Sequence, residues 1–373
     1  MSFGAAQMSE GNIIENLEKS KRENLLKTFA KSGNYYLPFT FDATGDSVNK
    51  IKKDLNLNPD TDIISYFGCD FLSVPSEIIG SPIVKWPSPG ENMTIWGTEL
   101  ITVTHSNGGQ YVEFGTPPLA YAESMKEVED YPHWPNPDKI ILHKRPIDAD
   151  YSEKISTCVS CEGGFTGPFG IPWQMRGMEN LLMDMIADPE IVDAMIERLD
   201  AITLPILKGV LEEYGDIIDM VGCGDDYGTQ KGLLISPEHF RRFFGPSLKR
   251  HYDLAKSYGK LCYHHSCGAV RELIPDMIDC GLDVLNPIQV RANGMDPKEL
   301  RREFGQDIAF HGAIDIQETL PKGSPQDVKD EVYRRVEELG PYYCLTSSHA
   351  LQTDIPTENI VAMFETAKEI RGF

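Results

Sequence analysis

Residues 261–289, LCYHHSCGAVRELIPDMIDCGLDVLNPIQ, decide the fold. Two short apolar runs, 261–265 and 284–287, flank an amphipathic segment that ends near Cys280. A strand, a helix and a second strand of these lengths are typical of a parallel βα unit, because parallel strands need a crossover that is usually a helix. The same alternation begins with the predicted strand 35–42 and recurs towards the C-terminus in seven or eight units.

This number of βα units in 373 residues predicts the α/β class and a (β/α)8 TIM barrel, with 1–373 as a single domain that has an N-terminal helical extension. The alternation is interrupted at about 80–120. There, ITVTHSNGGQYVEF (101–114) alternates on both sides of Asn107-Gly108-Gly109 and predicts an antiparallel hairpin insertion. An open doubly wound sheet is the alternative, but it would need a Gly-rich phosphate loop, and neither GxGxxG nor GxxxxGK[ST] occurs in the sequence.

The charge balance argues against two classes of partner. The chain has 57 acidic residues against 35 Lys plus Arg, a formal net charge of −22. Duplex nucleic acid and anionic membranes both attract clustered Lys and Arg, so we expect neither to bind. No apolar run reaches the roughly 18 residues of a membrane span, and the polar N-terminus does not resemble a secretory signal. We therefore expect a cytoplasmic protein with reduced thiols.

Polar side chains are concentrated where the predicted strands end. Barrel enzymes carry their chemistry at the C-terminal ends of the strands, so these positions predict one functional rim. The polar residues at or just beyond the strand ends are Asp42, Asp225, Asp226, Tyr227, Tyr263, His265, Cys267, Asn286, Gln289, His311 and His349.

The clearest candidate for metal binding is the pair His265 and Cys267. Residues i and i+2 of an extended chain point the same way, so both side chains could reach one zinc ion, which prefers nitrogen and sulfur ligands. His349, after the last strand, is the candidate third ligand. The alternative is that both side chains are simply packed, because HxC is a short and unspecific motif.

The carboxylates of the rim allow more than one interpretation. Asp225, Asp226 and Asp42 are candidate catalytic residues. The adjacent Asp225 and Asp226 could be a paired acid and base, a metal-binding pair or a solvated charge cluster at a helix N-terminus. Arg176 could hold an anion or face solvent. The CxxC of Cys158 and Cys161 lies in a predicted strand, where packed cysteines are favoured over a redox or zinc pair, since the two side chains point to opposite faces.

Several long segments of the sequence are similar to a known superfamily. They are MRGMENLLMDMIADPE (175–190), GDDYGTQKGLLISPEHFRRFFGPSLKR (224–250), YHHSCGAVRELIPDMIDCGLDVLNPIQ (263–289), FHGAIDIQETLPKGSPQDVKDEV (310–332) and SSHALQTDIPTENIVAMFE (347–365). These segments resemble the uroporphyrinogen decarboxylase superfamily, and the likeness covers most of the chain from about residue 155 to the C-terminus. The resemblance implies a (β/α)8 barrel with its active cleft at the C-terminal rim.

Two chemistries occur in that superfamily. Genuine decarboxylases carry an Arg-rich N-terminal segment of the type PxWxMRQAGRY, which grips the propionates of the tetrapyrrole. The corresponding stretch here, YYLPFTFDATGD (35–46), keeps Asp42 but has no arginine. The other branch comprises zinc-dependent corrinoid methyltransferases, which hold zinc with an HxC pair and a later cysteine. His265 and Cys267 match the pair, and His349 stands where the later cysteine would fall.

The resemblance to the second branch implies a methyltransferase. It would move a methyl group between a small methylated compound, with an aryl methyl ether favoured (O-demethylase type), and a separate corrinoid protein, with zinc as Lewis acid. Its expected substrate-binding residues are Tyr227, Trp173, Tyr263, Arg176, Asn286 and Gln289. Two alternatives remain. The first is a zinc-free decarboxylase that uses Asp42, with Arg176 or His349 binding carboxylates, and the second is a non-catalytic scaffold.

Overall fold

The computed structural model places the strands and helices of the chain in three dimensions. It describes residues 21–70, 77–78, 81–82, 84–85, 90, 92–104, 110–139, 141–142, 158–160, 167–216 and 218–371.

The described strands fall into one parallel sheet and three antiparallel pairs. In chain order they are β1 (Glu77–Ile78), β2 (Ser81–Pro82), β3 (Val84–Lys85), β4 (Leu100–Thr104), β5 (Gln110–Phe114), β6 (Ile141–Leu142), β7 (Cys158–Ser160), β8 (Met220–Gly224), β9 (Leu261–His265), β10 (Val284–Ile288), β11 (Ala309–Ile314) and β12 (Tyr343–Ser347). Strands β7 to β12 form the parallel sheet in their chain order. Consecutive parallel strands joined by helices are the arrangement of a (β/α)8 barrel, and the predicted fold class is confirmed.

The N-terminal segment of the barrel lies beside the last strand. Phe39 pairs in parallel with Leu345, and Ala43 pairs in parallel with Leu351. These are isolated bridges. The segment predicted as strand 35–42 therefore lies beside the last strand but does not form a continuous strand. Asp70 lies beside this N-terminal segment, because its N–H donates to the carbonyl of Phe39. The apolar run CDFLSV (69–74) predicts a second strand, and its residues 71–74 lie outside the described residues.

The described helices lie before, between and after the strands of the parallel sheet. They are α1 (residues 21–29), α2 (Gly45–Asp54), α3 (Ile63–Phe67), α4 (Met125–Glu129), α5 (Gly170–Arg176), α6 (Met178–Ala187), α7 (Pro189–Tyr214), α8 (Pro237–His239), a π-helical turn (Phe240–Phe244), α9 (Gly245–Ser257), α10 (Ile274–Cys280), α11 (Pro297–Phe304), α12 (Thr319–Lys322), α13 (Pro325–Leu339) and α14 (Thr357–Arg371). Short 3₁₀ turns occupy Pro137–Lys139 and Arg271–Leu273. None of the described helices is long and apolar enough to cross a membrane.

The predicted hairpin insertion is also confirmed. Strands β4 and β5 pair antiparallel, with Leu100 opposite Phe114 and Thr104 opposite Gln110. Its turn, 105–109, lies outside the described residues. The edge of the Phe114 ring contacts the indole of Trp173 in α5, with the ring centroids 5.5 Å apart. The hairpin therefore packs against the start of the barrel's helical layer.

Helix α1 covers the N-terminal ends of the strands. Leu25 and Phe29 pack in one apolar cluster with Met220, Val284 and Ala309, each of which begins a strand. This packing closes the face of the barrel at which the strands start. Among the described residues, His265 and Cys267 lie at the opposite face, where the strands end, and are half-buried there.

The five C-terminal strands differ in how they are buried. Strands β8, β10, β11 and β12 are buried at every position, whereas β9 alternates between half-buried and buried residues. Continuous burial is expected for a parallel sheet covered on both faces. The half-buried residues of β9 are Leu261, Tyr263 and His265. They lie on one face of the strand, and His265 is the last residue of the strand.

Candidate metal centre at the barrel rim

Two loops beyond β8 and β9 approach each other closely. Gly268 has φ +83°, and a Cβ on it would lie 2.6 Å from the main-chain carbon and oxygen of Gly228, so a larger residue would force the loops apart. The N–H of Tyr227 donates to Ser266 Oγ at 3.1 Å, and the N–H of Ala269 donates to the carbonyl of Thr229. The residues that follow β8 are thereby fixed against those that follow β9.

This contact brings three potential metal ligands together. Among the residues that the structure describes, Asp226, His265 and Cys267 form a group whose ligand atoms all lie within 4.8 Å of one another. His265 Nε2 lies 3.5 Å from Cys267 Sγ and 4.0 Å from Asp226 Oδ1. Zinc bonds of ordinary length at a tetrahedral angle would separate a nitrogen and a sulfur ligand by about 3.6 Å. The donor set and its spacing therefore fit a zinc ion.

The electrostatics of this group favour a cation. Burial and the neighbouring carboxylate of Asp226 raise the pKa of the Cys267 thiol to about 12, so the thiol stays protonated unless a positive charge stabilises its thiolate. Burial lowers the pKa of His265, against the opposing effects of Asp226 and of the hydrogen bond that His265 donates to Asn286. The neutral imidazole offers a lone pair to a divalent cation, and the thiol beside the carboxylate can release its proton when that cation binds.

His265 is oriented from its other ring nitrogen. Its Nδ1 lies 2.8 Å from Asn286 Oδ1, and Asn286 faces His265 directly in the register of β9 and β10. The Nε2 atom is thereby turned towards Cys267. Metal-binding histidines usually make such a bond with the nitrogen that does not bind the metal, because it fixes the ring orientation.

Asp42 and His349 stand at the edge of this group. Both are exposed, and both act electrostatically on His265. Protein atoms surround the Asp42 carboxyl although water reaches it, and this partial desolvation raises its pKa against the effects of His349 and His265. The group of described ligand atoms within 4.8 Å contains Asp226 and not His349. Asp226 is thus a third candidate ligand beside His265 and Cys267, and His349 as third ligand stays a prediction.

Asp225, expected with Asp226 as a catalytic pair, points the other way. It is 2% exposed, and its carboxylate accepts the N–H groups of Gly167, Phe169 and Gly170 at 3.1, 3.0 and 2.6 Å, where α5 begins. The hydroxyl of Tyr227 donates to the same carboxylate at 2.8 Å. Burial raises the pKa of Asp225 to about 7, although these donors oppose the shift. Asp225 is a buried cap of α5.

Two expected substrate-binding residues are likewise enclosed by the protein. Tyr227 is fully buried and packs against the rings of Phe169, Phe240 and His264. Arg176 is 7% exposed, and its Nε donates to Asp184 at 2.6 Å.

The rest of the Arg176 guanidinium is also occupied. Its Nη1 donates to the carbonyls of Leu119 and Ala120 at 2.6 and 3.0 Å, and its Nη2 donates to Asp184 at 3.2 Å. Arg176 is thus neither facing solvent nor free to hold an anion, and it joins the last turn of α5 to α6 and to residues 119–120.

The remaining expected contacts lie nearer the rim. Gln289 accepts from Gln230 Nε2 and from the N–H of Gly268, both at 2.9 Å, so it supports the loop that carries Cys267. Tyr263 is half-buried, and its hydroxyl lies 3.1 Å from His311 Nδ1. Trp173 is half-buried beside the hairpin. Cys161 of the CxxC lies outside the described residues.

The sequence does not predict the contact between Asn286 and His265. Asn286 is predicted to bind substrate, and in the structure its amide contacts His265 and His311. His311 is predicted to lie at a strand end, with no role assigned. The available signal was register, because Asn286 and His265 are both near the ends of consecutive parallel strands and so are neighbours.

Comparison with known proteins agrees with the superfamily that the sequence resembles. The family model for Uroporphyrinogen decarboxylase (URO-D) matches residues 112–370. A methylated-thiol–coenzyme M methyltransferase of Methanosarcina mazei is 27% identical over 207 residues, 55% of this chain and 52% of that protein. The methylcobamide:CoM methyltransferase MtaA of Methanosarcina barkeri is 24% identical over 220 residues, 58% of this chain and 60% of that protein.

The chain thus matches between about half and three fifths of the length of these curated relatives. A solved methyltransferase from Methanosarcina mazei superposes with a TM-score of 0.64 at 14% identity, covering 94% of this chain and 98% of that one. At this identity the likeness concerns the fold alone, and it is the barrel fold that the strand order had indicated. Since the family model spans well over half of its residues, the chain belongs to the uroporphyrinogen decarboxylase (URO-D) family.

Proposed function

We propose that this protein transfers a methyl group between a small methylated compound and a corrinoid protein. The observation that carries the proposal is the His265–Cys267 pair, with Nε2 and Sγ 3.5 Å apart at the open end of the barrel. Both relatives named above are methyltransferases, and one name specifies a methylcobamide, which supports a corrinoid as the second substrate.

In this proposal, His265, Cys267 and Asp226 hold one zinc ion. When bound, zinc supplies Lewis acidity to the oxygen or sulfur atom that loses or receives the methyl group. Asn286 keeps the His265 ring in place, and the N–H of Cys267 donates to Asp226 Oδ1 at 2.8 Å, which holds that carboxylate beside the thiol. Asp42 and His349 lie at the same rim, where they can contact the small substrate.

The transfer balances without any further reactant. In the demethylating direction, the electron pair of the partner's reduced cobalt forms a bond to the methyl carbon. The bond from that carbon to oxygen or sulfur breaks, and the heteroatom leaves with the bonding pair as a phenolate or thiolate. An aryl methyl ether and a methylated thiol both fit this scheme, and the first relative's name favours testing the thiol alongside the ether.

The corrinoid can approach the site from only one side of the described barrel. Helix α1 packs Leu25 and Phe29 against the starts of the strands, and the interior positions of β8 and β10 to β12 are filled. A bulky corrin therefore has to contact the loop face, where His265 and Cys267 are half-buried and accessible.

The test is to mix the enzyme with a reduced corrinoid protein and a panel of O-, N- and S-methyl compounds. Methylation of cobalt is followed by its absorption spectrum. We expect methylation with the wild type, none with Cys267→Ala, and normal rates with Cys280→Ala, whose thiol is buried against the carbonyl of Gly245 on α9. Decarboxylation of a porphyrinogen without a corrinoid partner would instead identify the decarboxylase branch and contradict the proposal.

A further inference from the structure

We infer that Asn286 and His311 are positioning residues that hold His265 in the one neutral tautomer able to bind a metal through Nε2. This inference rests on the metal centre of the proposed function and adds the part of the protein that prepares it. The residues occupy consecutive strands, with His265 on β9, Asn286 on β10 and His311 on β11. They form a continuous chain of hydrogen bonds that continues to Thr40 in the N-terminal segment of the barrel.

The first step fixes the direction of the Asn286 amide. Asn286 Nδ2 lies 3.3 Å from the main-chain oxygen of His311. A carbonyl oxygen can only accept, so the amino group of Asn286 must face it, whatever the protonation of any side chain. The reverse orientation would place two oxygens against each other in a buried site, without a proton between them.

In the second step, the orientation of the Asn286 amide determines which nitrogen of His265 carries the hydrogen. With the amino group facing His311, Asn286 Oδ1 faces His265 Nδ1 at 2.8 Å. An amide oxygen only accepts, so His265 Nδ1 must carry the hydrogen. A neutral imidazole has one N–H, and the lone pair is therefore on Nε2, which faces Cys267 Sγ.

The third step anchors the chain at its far end. Asn286 Nδ2 also lies 3.2 Å from His311 Nδ1, which must then accept, leaving His311 Nε2–H to donate to Thr40 Oγ1 at 2.7 Å. Burial lowers the pKa of His311 to about 3, so its ring stays neutral and retains an accepting nitrogen. The hydroxyl of Tyr263, 3.1 Å from the same Nδ1, is a second group that can donate to it.

These contacts fix the tautomer of His265 through the protein alone, before any metal binds. The main-chain oxygen of His311 cannot change role, and Asn286 and His311 are each only 7% exposed. Without the chain of hydrogen bonds, the N–H of His265 could move to Nε2, and metal binding would first require its return to Nδ1. Loss of such a hydrogen-bonding partner typically weakens metal binding about 10- to 100-fold.

The test compares zinc affinity in Asn286→Leu with that in Asn359→Leu. Asn359 is a matched control, because its amide is also buried and donates to two carbonyls, those of Leu320 and Gly323, both at 2.8 Å, but on α14. Zinc is titrated into metal-free protein against a chromophoric chelator. We expect zinc binding to be about 10- to 100-fold weaker in Asn286→Leu and unchanged in Asn359→Leu. Equal affinities in the two variants would overturn the inference and leave the metal centre intact.

A second measurement reads the tautomer directly in the wild-type protein. Metal-free wild-type protein labelled with ¹⁵N-histidine is examined by long-range ¹H–¹⁵N NMR, and His265→Ala serves only to assign the signal. We expect the proton on Nδ1 of His265. A proton on Nε2 would overturn the inference. Wild-type protein that binds no zinc would contradict the proposed metal centre, and the NMR result would then decide the inference alone.

Discussion

Asp225 and Asp226 are adjacent in sequence and opposite in role. The side chain of Asp226 is 59% exposed and faces His265, whereas Asp225 is 2% exposed and caps α5. The difference shows that position at a strand end brings a carboxylate to the rim but does not decide which way it points. The number of N–H donors that each carboxylate meets distinguishes the helix cap from the candidate ligand.

The same contrast extends to two sets of residues. The inner set, Asp225 and Arg176, lies at the two ends of α5 and makes all of its described contacts within the protein. The outer set, Asp226, His265 and Cys267, presents ligand atoms to one another at the open end of the barrel. We expect changes in the inner set to cost stability and changes in the outer set to cost metal binding.

The largest expected effect is that of Arg176→Met. This change leaves the buried carboxylate of Asp184 without its partner, which typically costs about 3–5 kcal/mol of unfolding free energy. Arg242→Met is the control, because its pair with Asp193 is exposed and such pairs contribute about 1 kcal/mol or less. Urea unfolding measures both. Equal small losses would show that Arg176 is not part of a structural inner set.

The next effect separates the two adjacent aspartates. Asp225→Asn replaces one accepting oxygen by an amino group in front of backbone donors, and each donor left unsatisfied costs about 1–3 kcal/mol. Asp226→Asn keeps an oxygen for the N–H of Cys267 and should change stability by less than about 0.5 kcal/mol. Urea unfolding and zinc titration of both variants test this. The comparison fails if Asp226→Asn is the less stable variant, or if Asp225→Asn loses zinc affinity while keeping its stability.

A smaller effect appears in the pH dependence of stability. The pKa of His311 is about 3 in the folded protein and near 6.5 when unfolded, so below pH 6.5 the unfolded chain binds the extra proton. The stability contributed by a neutral His311 is complete above that pH. It is lost as the pH falls, by about 1.4 kcal/mol per pH unit.

The substitution His311→Gln removes the contribution of His311 to the pH dependence of stability. Asp225, whose pKa is raised to about 7 when folded, has the opposite effect, because the unfolded carboxyl releases its proton first. That contribution is common to both proteins and cancels in the difference. Between about pH 6 and pH 5, urea unfolding should show a steeper loss for the wild type than for His311→Gln. Parallel slopes would mean that folding does not lower the pKa of His311.

Much of the fold could be predicted from the sequence because the signals for its strands and turns are local. The strands from β8 onwards and the hairpin follow apolar runs and a Gly-containing turn, signals that are local in the chain. The concentration of polar residues at strand ends likewise pointed to His265 and Cys267.

The direction of individual side chains could not be predicted. The orientation of the Asp225 carboxylate depends on N–H donors more than fifty residues away, at Gly167, Phe169 and Gly170. The orientation of the Asn286 amide depends on a main-chain oxygen of the next strand. Asp226 reaches the ligand group because Gly228 and Gly268 let two loops meet. These are tertiary contacts, which no spacing within one segment reveals.

The central claim is that His265, Cys267 and Asp226 hold a metal ion, and the zinc content of the purified protein tests it most directly. Protein purified without chelator is analysed for metals as the wild type, His265→Ala, Cys267→Ala and the control Cys280→Ala. We expect about one zinc per chain in the wild type and the control, and little in the two site variants, with all four proteins folded because the barrel core does not depend on the ion. Wild-type protein without zinc, or site variants that keep it, would contradict the account.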